Sequence, residues 1–312
     1  MPGYIARRIG GLLFIWFVAV LISFAALQFV PGDPILVLLS DQSGDAALEA
    51  RLRADYGLDR SLPLQFIDYI GSIADGSFGL SYRFAGREVI EIIEGGMWIT
   101  PLLAITALVI AVPLGVFLGI AAATRAGQLA DTAIILLLVC GISIPNFALA
   151  TTLVWLLSIK AGLLPVAGWG SFSQMILPVV VLTVPPVAYI ARLTRSYMLE
   201  VFEKDYIRTA RAKGVRDRLV VWRHALRNTL VPLLTSIGII FGGLLSGSFV
   251  VETIFNIPGL GRIAIESIFA RDYPVTMSVV LLFTVFYSLI NLAVDLSYAL
   301  IDPRIRLQGQ SA

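Results

Sequence analysis

The chain has 312 residues, of which 58% are hydrophobic and 14% charged, and its mean hydropathy is +0.88. A soluble domain carries about 25% charge, so this composition excludes a soluble globule and places the chain in a bilayer. The net charge of +2 excludes little, because the distribution of charge carries the information and the sum does not.

Scarce residue types narrow the chemistry further. A single histidine, His224, cannot supply a two-histidine zinc helix. Cys140 has no disulfide partner and reads as a small buried hydrophobe. None of the three lysines (Lys160, Lys204, Lys213) follows a glycine or precedes Ser or Thr. A phosphate-binding P-loop is therefore absent, and the chain cannot hydrolyse ATP by that route.

Crossing the hydrocarbon core takes about 20 apolar helical residues, and six segments qualify or nearly so. The first, 9–30, follows Arg7 and Arg8. Its apolar run is too long for a signal-peptide core and no A-x-A cleavage site follows, so it reads as an uncleaved helix. The 31–98 loop is too long for a connector and should carry structure. Residues 46–56 form a short helix with a Glu49–Arg53 pair at i,i+4, and 64–73 has a helical pattern as well. This loop reads as an external cap lying on the membrane.

The second span is 101–123, the third 133–159 and the fourth a short 175–191. Pro113, Pro145, Pro178, Pro185 and Pro186 all fall inside these spans. Proline removes a helical hydrogen bond, which lipid tolerates only where protein or a water-filled cavity satisfies the freed groups. Asn146 adds a polar side chain beside Pro145. A translocation path lined by broken helices accounts for both features; a kinked bundle with Asn146 bonded to a neighbouring helix is the alternative. The clustering of the prolines favours the path.

Ten of the 23 Lys and Arg residues lie between Arg192 and Arg227. In this island Leu199, Phe202, Tyr206 and Ala210 keep helical spacing, so a basic surface helix is expected, with Gly214 supplying a turn. It reads equally as a protein-docking lever or as a loop that touches anionic lipid. The fifth span, 229–251, carries Gly238, Gly242, Gly243 and Gly247 on a small-residue face, suited to a subunit seam or to packing within the chain. The sixth is 275–301. With the N-terminus inside, fifteen of the 23 basic residues fall on the inner side, so both termini and the 192–228 region should be cytoplasmic.

The motifs now point to a family. Asp205-Tyr206-Ile207-Arg208-Thr209-Ala210-Arg211-Ala212-Lys213-Gly214, then Arg223-His224-Ala225-Leu226-Arg227-Asn228 and Leu230-Val231-Pro232, resemble the "EAA" loop of bacterial ABC importer permeases, in the dipeptide, oligopeptide and nickel branch. Other landmarks of that branch are Val30-Pro31-Gly32-Asp33-Pro34, Tyr56-Gly57-Leu58-Asp59, Ser143-Ile144-Pro145-Asn146-Phe147, Val251-Glu252-Thr253-Ile254-Phe255, Ala270-Arg271-Asp272-Tyr273-Pro274 and Asp302-Pro303-Arg304. One departure stands out: where the branch begins its second span with Pro-x-Thr, this chain has Trp98-Ile99-Thr100-Pro101.

The resemblance implies an all-α polytopic membrane protein of six transmembrane helices in the bacterial inner membrane. Its parts would be 1–30 as N-terminal segment and first helix, 31–98 as external loop, and 99–312 as permease core. It implies a non-catalytic subunit, with no cofactor in this chain and with ATP and Mg bound by two partner ATPase subunits. A second homologous permease (a heterodimer) and an extracytoplasmic substrate-binding protein complete the assembly, and no nucleic acid is involved. Tyr206, Arg208, Thr209, Ala210, Arg211, Lys213 and Gly214 would contact the ATPase. Asn146, Pro145, Glu252 and Asn256 would belong to the pathway or its mouth. Di- or oligopeptides are the first expected cargo, followed by glutathione, nickel chelates, and sugars or opines. An ion-coupled transporter would need more intramembrane polar groups than Asn146 and Asp295, and an embedded enzyme would need converging catalytic groups.

Overall fold

The computed structural model describes residues 2–30, Ile35 and 46–301. The motifs at 31–34 and 302–304 lie outside the described residues. In chain order the helices are α1 (Pro2–Gln28), α2 (Ala46–Asp55), α3 (Leu62–Asp75), α4 (Val89–Met97), α5 (Ile99–Ala123), α6 (Leu129–Ser143), α7 (Asn146–Leu153), α8 (Phe172–Phe202), α9 (Asp205–Ala212), α10 (Asp217–Leu219), α11 (Leu226–Ile254), α12 (Leu260–Phe269) and α13 (Tyr273–Ile301). Wider π-helical turns follow α7 (Val154–Lys160) and α10 (Val220–Ala225). Among the described residues the only β pairing outside these helices is a single bridge between Leu80 and Glu88. The fold is all-α.

Five helical stretches are long and apolar enough to cross a membrane, and a sixth is gained if α6 and the helix after it count as one span. That third span is not the continuous helix expected over 133–159. It breaks at Pro145 into two helices bent by 97°. Proline lacks the N–H that would continue α6 and forces the preceding residue out of the helical region; Ile144 accordingly has ψ 117°. Hydropathy is continuous across the break, so an apolar window cannot see it.

The chain forms two compact units, Met1–Pro101 with Ile257–Ser288, and Leu102–Asn256 with Leu289–Ala312. In the first, the amphipathic α3 lays Tyr69 against Val20 of α1 and Met277 and Leu281 of α13, within a shell that includes Trp16, Phe24 and Phe66. The buried hydroxyl of Tyr69 lies 3.0 Å from Ser278 Oγ. Val89 and Ile93 of α4 pack on Leu260 of α12 and on Val275, Val279 and Leu282 of α13. Buried Asp272 ties down the 81–84 turn, accepting from Ser81 Oγ at 2.5 Å and from the Tyr82 N–H at 3.0 Å. Thr100, in the tetrapeptide that departs from the branch pattern, is fully buried and accepts the Leu260 N–H at 2.8 Å. Pro101 then falls in the first turn of α5, where a missing N–H costs nothing.

The second unit is organised around α8, which packs between α6 and α11. Ser171 and Gln174 close its N-terminus with a reciprocal capping box. The helix runs 31 residues to Phe202, well past the expected 175–191. Beyond Ala191 the apolar positions Met198 and Phe202 keep helical spacing while charged residues fill the other face. The hydropathy signal stops there, and the helix does not. Cys140, expected to be buried, is exposed on α6 beside Leu137 and Val139. It belongs to an apolar face turned away from the chain's own core.

Candidate functional site

The basic island divides into two parts with different surroundings. Its first part, 192–202, is the end of α8. A break at Glu203–Lys204 separates it from α9, so Leu199, Phe202, Tyr206 and Ala210 do not share one helix as their spacing suggested. On α9 the buried residues are Ile207, fully enclosed, and Ala210. They pack with Ile120 and Ala123 of α5, Met198 of α8, and Val220 and Ala225 of the π turn. Tyr206 is not one of the packed residues: it is exposed, and its hydroxyl accepts from Asn228 Nδ2 at 3.1 Å.

With Ile207 and Ala210 turned inward, Tyr206, Arg208, Thr209, Arg211 and the C-cap residue Lys213 are exposed around the rest of the helix. Ala210 is thus a packing point within the chain. The contacts of the α9 arginines with neighbouring acids are weak ones. Arg208 lies 3.6 Å from Asp205, with both side chains largely in solvent, a geometry in which an ion pair contributes about 0–1 kcal/mol. Arg211 reaches Asp217 at 3.3 Å and lies over the Phe202 ring at 5.6 Å. Before α9, the hydrogen bond from Lys204 Nζ to Glu200, at 3.0 Å, raises the pKa of Lys204 above its ordinary value.

Gly214 closes α9 in the left-handed region at φ +74°, and no heavy atom lies within 4 Å of the place a Cβ would occupy. The Val215 N–H then donates to Ala210 O at 3.2 Å and turns the chain toward α10. A helix docked by two residues, with five polar or basic side chains outward, offers a partner charge and hydrogen bonds on a fixed frame.

The pathway candidates fall into two places. Asn146 begins α7 at the 97° bend. It lines a cavity of about 310 Å³ with Leu182, Pro185 and Pro186 of α8 and Gly243 and Gly247 of α11. The broken span and the double proline therefore meet at one cavity. Pro145 is the N-cap residue of α7 and is exposed. A Cβ on Gly247 would meet Asn146 Nδ2 at 3.6 Å, and one on Gly243 would meet nothing within 4 Å. Gly238 serves packing within the chain, because a Cβ there would collide with the Asn291 amide. Glu252 is fully buried near the end of α11. Asn256, exposed with φ +52°, takes the left-handed position that ends that helix. Neither lines the cavity around Asn146.

Two features escaped sequence reasoning. One is Ile207, the residue that docks α9; the apolar–polar contrast around it was the available signal. The other is the Asp131–Arg195 pair, whose signal was a lone acid at the inner edge of a span. Both oxygens of Asp131 are engaged by Arg195 at 2.8 Å.

A multi-pass, all-helical membrane chain with a docked basic loop and no nucleotide-binding motif has the build of a transporter's membrane subunit. A family model described as "Binding-protein-dependent transport system inner membrane component" matches residues 115–307, and its N-terminal counterpart matches 1–84. The chain is 41% identical over 307 residues to the dipeptide transport system permease protein DppB of Bacillus subtilis (strain 168), covering 98% of this chain and 99% of that protein. It is 42% identical over 306 residues to the glutathione transport system permease protein GsiC of Salmonella typhi, covering 98% and 99%. A chain of the MetNI methionine ABC transporter in an inward-facing crystal form shares the fold, with a TM-score of 0.55 at 23% identity over 68% of this chain and 97% of that one. The protein belongs to the binding-protein-dependent transport system inner membrane components: it is a permease subunit of an ABC importer. As such it is a non-catalytic, multi-pass inner-membrane protein working in an assembly with ATPase and substrate-binding subunits.

Proposed function

We propose that this permease moves di- or oligopeptides into the cytoplasm, receiving them from an extracytoplasmic binding protein. The observation that carries the reading is similarity over nearly the full length, at about two residues in five, to permeases named for dipeptides and for glutathione. Glutathione is itself a peptide, so one cargo class covers both names. Nickel chelates and sugar or opine cargo are secondary readings.

In this proposal the subunit pairs with a second, homologous permease and spans the membrane six times with both termini inside. Residues 31–98 lie outside and 192–228 lie in the cytoplasm. Two ATPase subunits bind ATP and Mg and seat on Tyr206, Arg208, Thr209, Arg211, Lys213 and Gly214, with Ala210 holding the helix beneath them. Closure of the ATPases moves α9, which is packed on the ends of α5 and α8, and so biases the bundle between inward- and outward-facing states. Cargo passes the Asn146–Pro145 bend, while Glu252 and Asn256 stand at the mouth. The test is ATP-dependent uptake of a labelled dipeptide by proteoliposomes holding the complete assembly. Uptake that persists without ATP, or that stops when the ion gradient is collapsed, would refute it.

A further inference from the structure

The cavity at the broken span has a composition that the bend itself does not require. Its lining includes the apolar Ile142, Leu182, Ile240 and Leu244, and among the described residues its single charged lining group is Arg192. Among the described residues Arg192 has no carboxylate partner of the kind that Arg195, one turn further on, has in Asp131. It is exposed, among the described residues it makes no ion pair, and its guanidinium lies 5.6 Å from the centroid of the Tyr189 ring, which also lines the cavity. An arginine over an aromatic face is oriented by the ring while its N–H fork stays free for a planar anion. Along α8, Arg192 sits about 10 Å beyond the Pro185–Pro186 step at 1.5 Å per residue, which in the proposed orientation is the cytoplasmic end of the cavity. The cavity volume of about 310 Å³ suits a small ligand.

We propose that Arg192, oriented by Tyr189 and lining the same cavity as Asn146, is a subsite for the carboxylate of the cargo. The apolar lining takes a side chain and the guanidinium takes the carboxylate, through the charge-assisted, two-bond geometry that arginine offers. Asn146 supplies an amide to hydrogen-bond the cargo backbone. The subsite rests on the peptide-importer reading, since it is written for a ligand with a carboxylate end. A weak, single-cation site of this kind favours passage, because tight binding would trap the cargo.

The experiment uses the assembled importer in proteoliposomes with its binding protein, at cargo concentrations that saturate that protein. The probes are a dipeptide with a free C-terminus and the same dipeptide as its C-terminal amide. Arg192→Gln is expected to slow the free acid about tenfold, the scale of one charged hydrogen bond, and to leave the amide nearly unchanged. Arg192→Lys should restore part of the difference. Tyr189→Leu, which keeps the charge but removes the ring, should reduce the acid-to-amide ratio in the same direction. Should Arg192→Gln slow both probes equally, or neither, the subsite is wrong while the peptide reading stands. An Arg192→Gln effect that disappears in liposomes without anionic lipid would mean the arginine serves headgroups, and would also overturn it. If the unaltered importer moves no peptide at all, the peptide reading fails and the subsite falls with it.

Discussion

Arg195 holds Asp131 with two parallel hydrogen bonds, Nε to Oδ1 and Nη2 to Oδ2, each 2.8 Å long. The Gly127 N–H adds a third at 3.0 Å to Oδ2. The Asp131 side chain is only 4% exposed and that of Arg195 is 27% exposed, so the part-buried pair fastens the turn before α6 to α8. Removing one member of a fully buried pair strands the other charge at a cost of about 3–5 kcal/mol, less here because Arg195 reaches solvent, whereas replacing both by apolar residues is often neutral. Arg195→Leu should therefore lower the thermal midpoint of the purified importer more than Asp131→Leu combined with Arg195→Leu does. A double variant as damaged as the single one would show that shape, and not charge, holds the turn.

Gly214 invites a separate prediction, because its surroundings and its backbone make different demands. Space for a side chain is open, and only the φ of +74° opposes one. Asparagine tolerates that conformation and a β-branched residue does not. Gly214→Asn should keep uptake, and Gly214→Val should uncouple ATPase stimulation from uptake while the protein still assembles. Parallel uptake and ATPase measurements decide this, and full uptake by the valine variant would remove Gly214 from the coupling surface.

The legible parts of this chain were those governed by short-range pattern. Spans appear as apolar runs, the ATPase-free nature of the chain as a missing motif, and the turn at Gly214 as a glycine after a basic helix. The misread parts depend on what lies across the fold. The row Leu199, Phe202, Tyr206, Ala210 has faultless helical spacing, yet a break at Glu203–Lys204 needs neither Gly nor Pro, and it turns Ile207 inward in place of Tyr206. Pro145 flagged a disturbance without revealing that it bends the span by 97°. Asp131 and Arg195 are 64 positions apart, and no local pattern joins them.

The two faces of α9 should respond differently to alanine. Ile207 is fully buried against α5, α8 and the π turn, and truncating such a residue costs about 2–5 kcal/mol. Ile207→Ala should lower expression and thermal midpoint of the permease even without its ATPase. Arg208→Ala and Lys213→Ala, on the exposed side, should leave that midpoint alone and weaken ATPase retention during purification, more so at high salt. If Arg208→Ala destabilised the isolated permease as much as Ile207→Ala, the exposed side would be structural.

Tyr69 makes the first unit sensitive to alkali. Burial, partly offset by the Ser278 hydrogen bond, pushes its pKa up from 10.0 to about 12. Between those values the unfolded chain has lost the phenolic proton and the folded chain keeps it, so folding binds a proton there and stability falls as pH rises. The contribution is complete below pH 10 and gone above about 12, and two pKa units correspond to about 3 kcal/mol. Tyr69→Phe removes the titration along with the 3.0 Å contact to Ser278. The variant should be less stable than the parent near neutrality, and the gap should close between pH 10 and 12. Thermal melts across that range provide the check, and a gap that stays constant with pH would mean Tyr69 does not carry the alkaline transition.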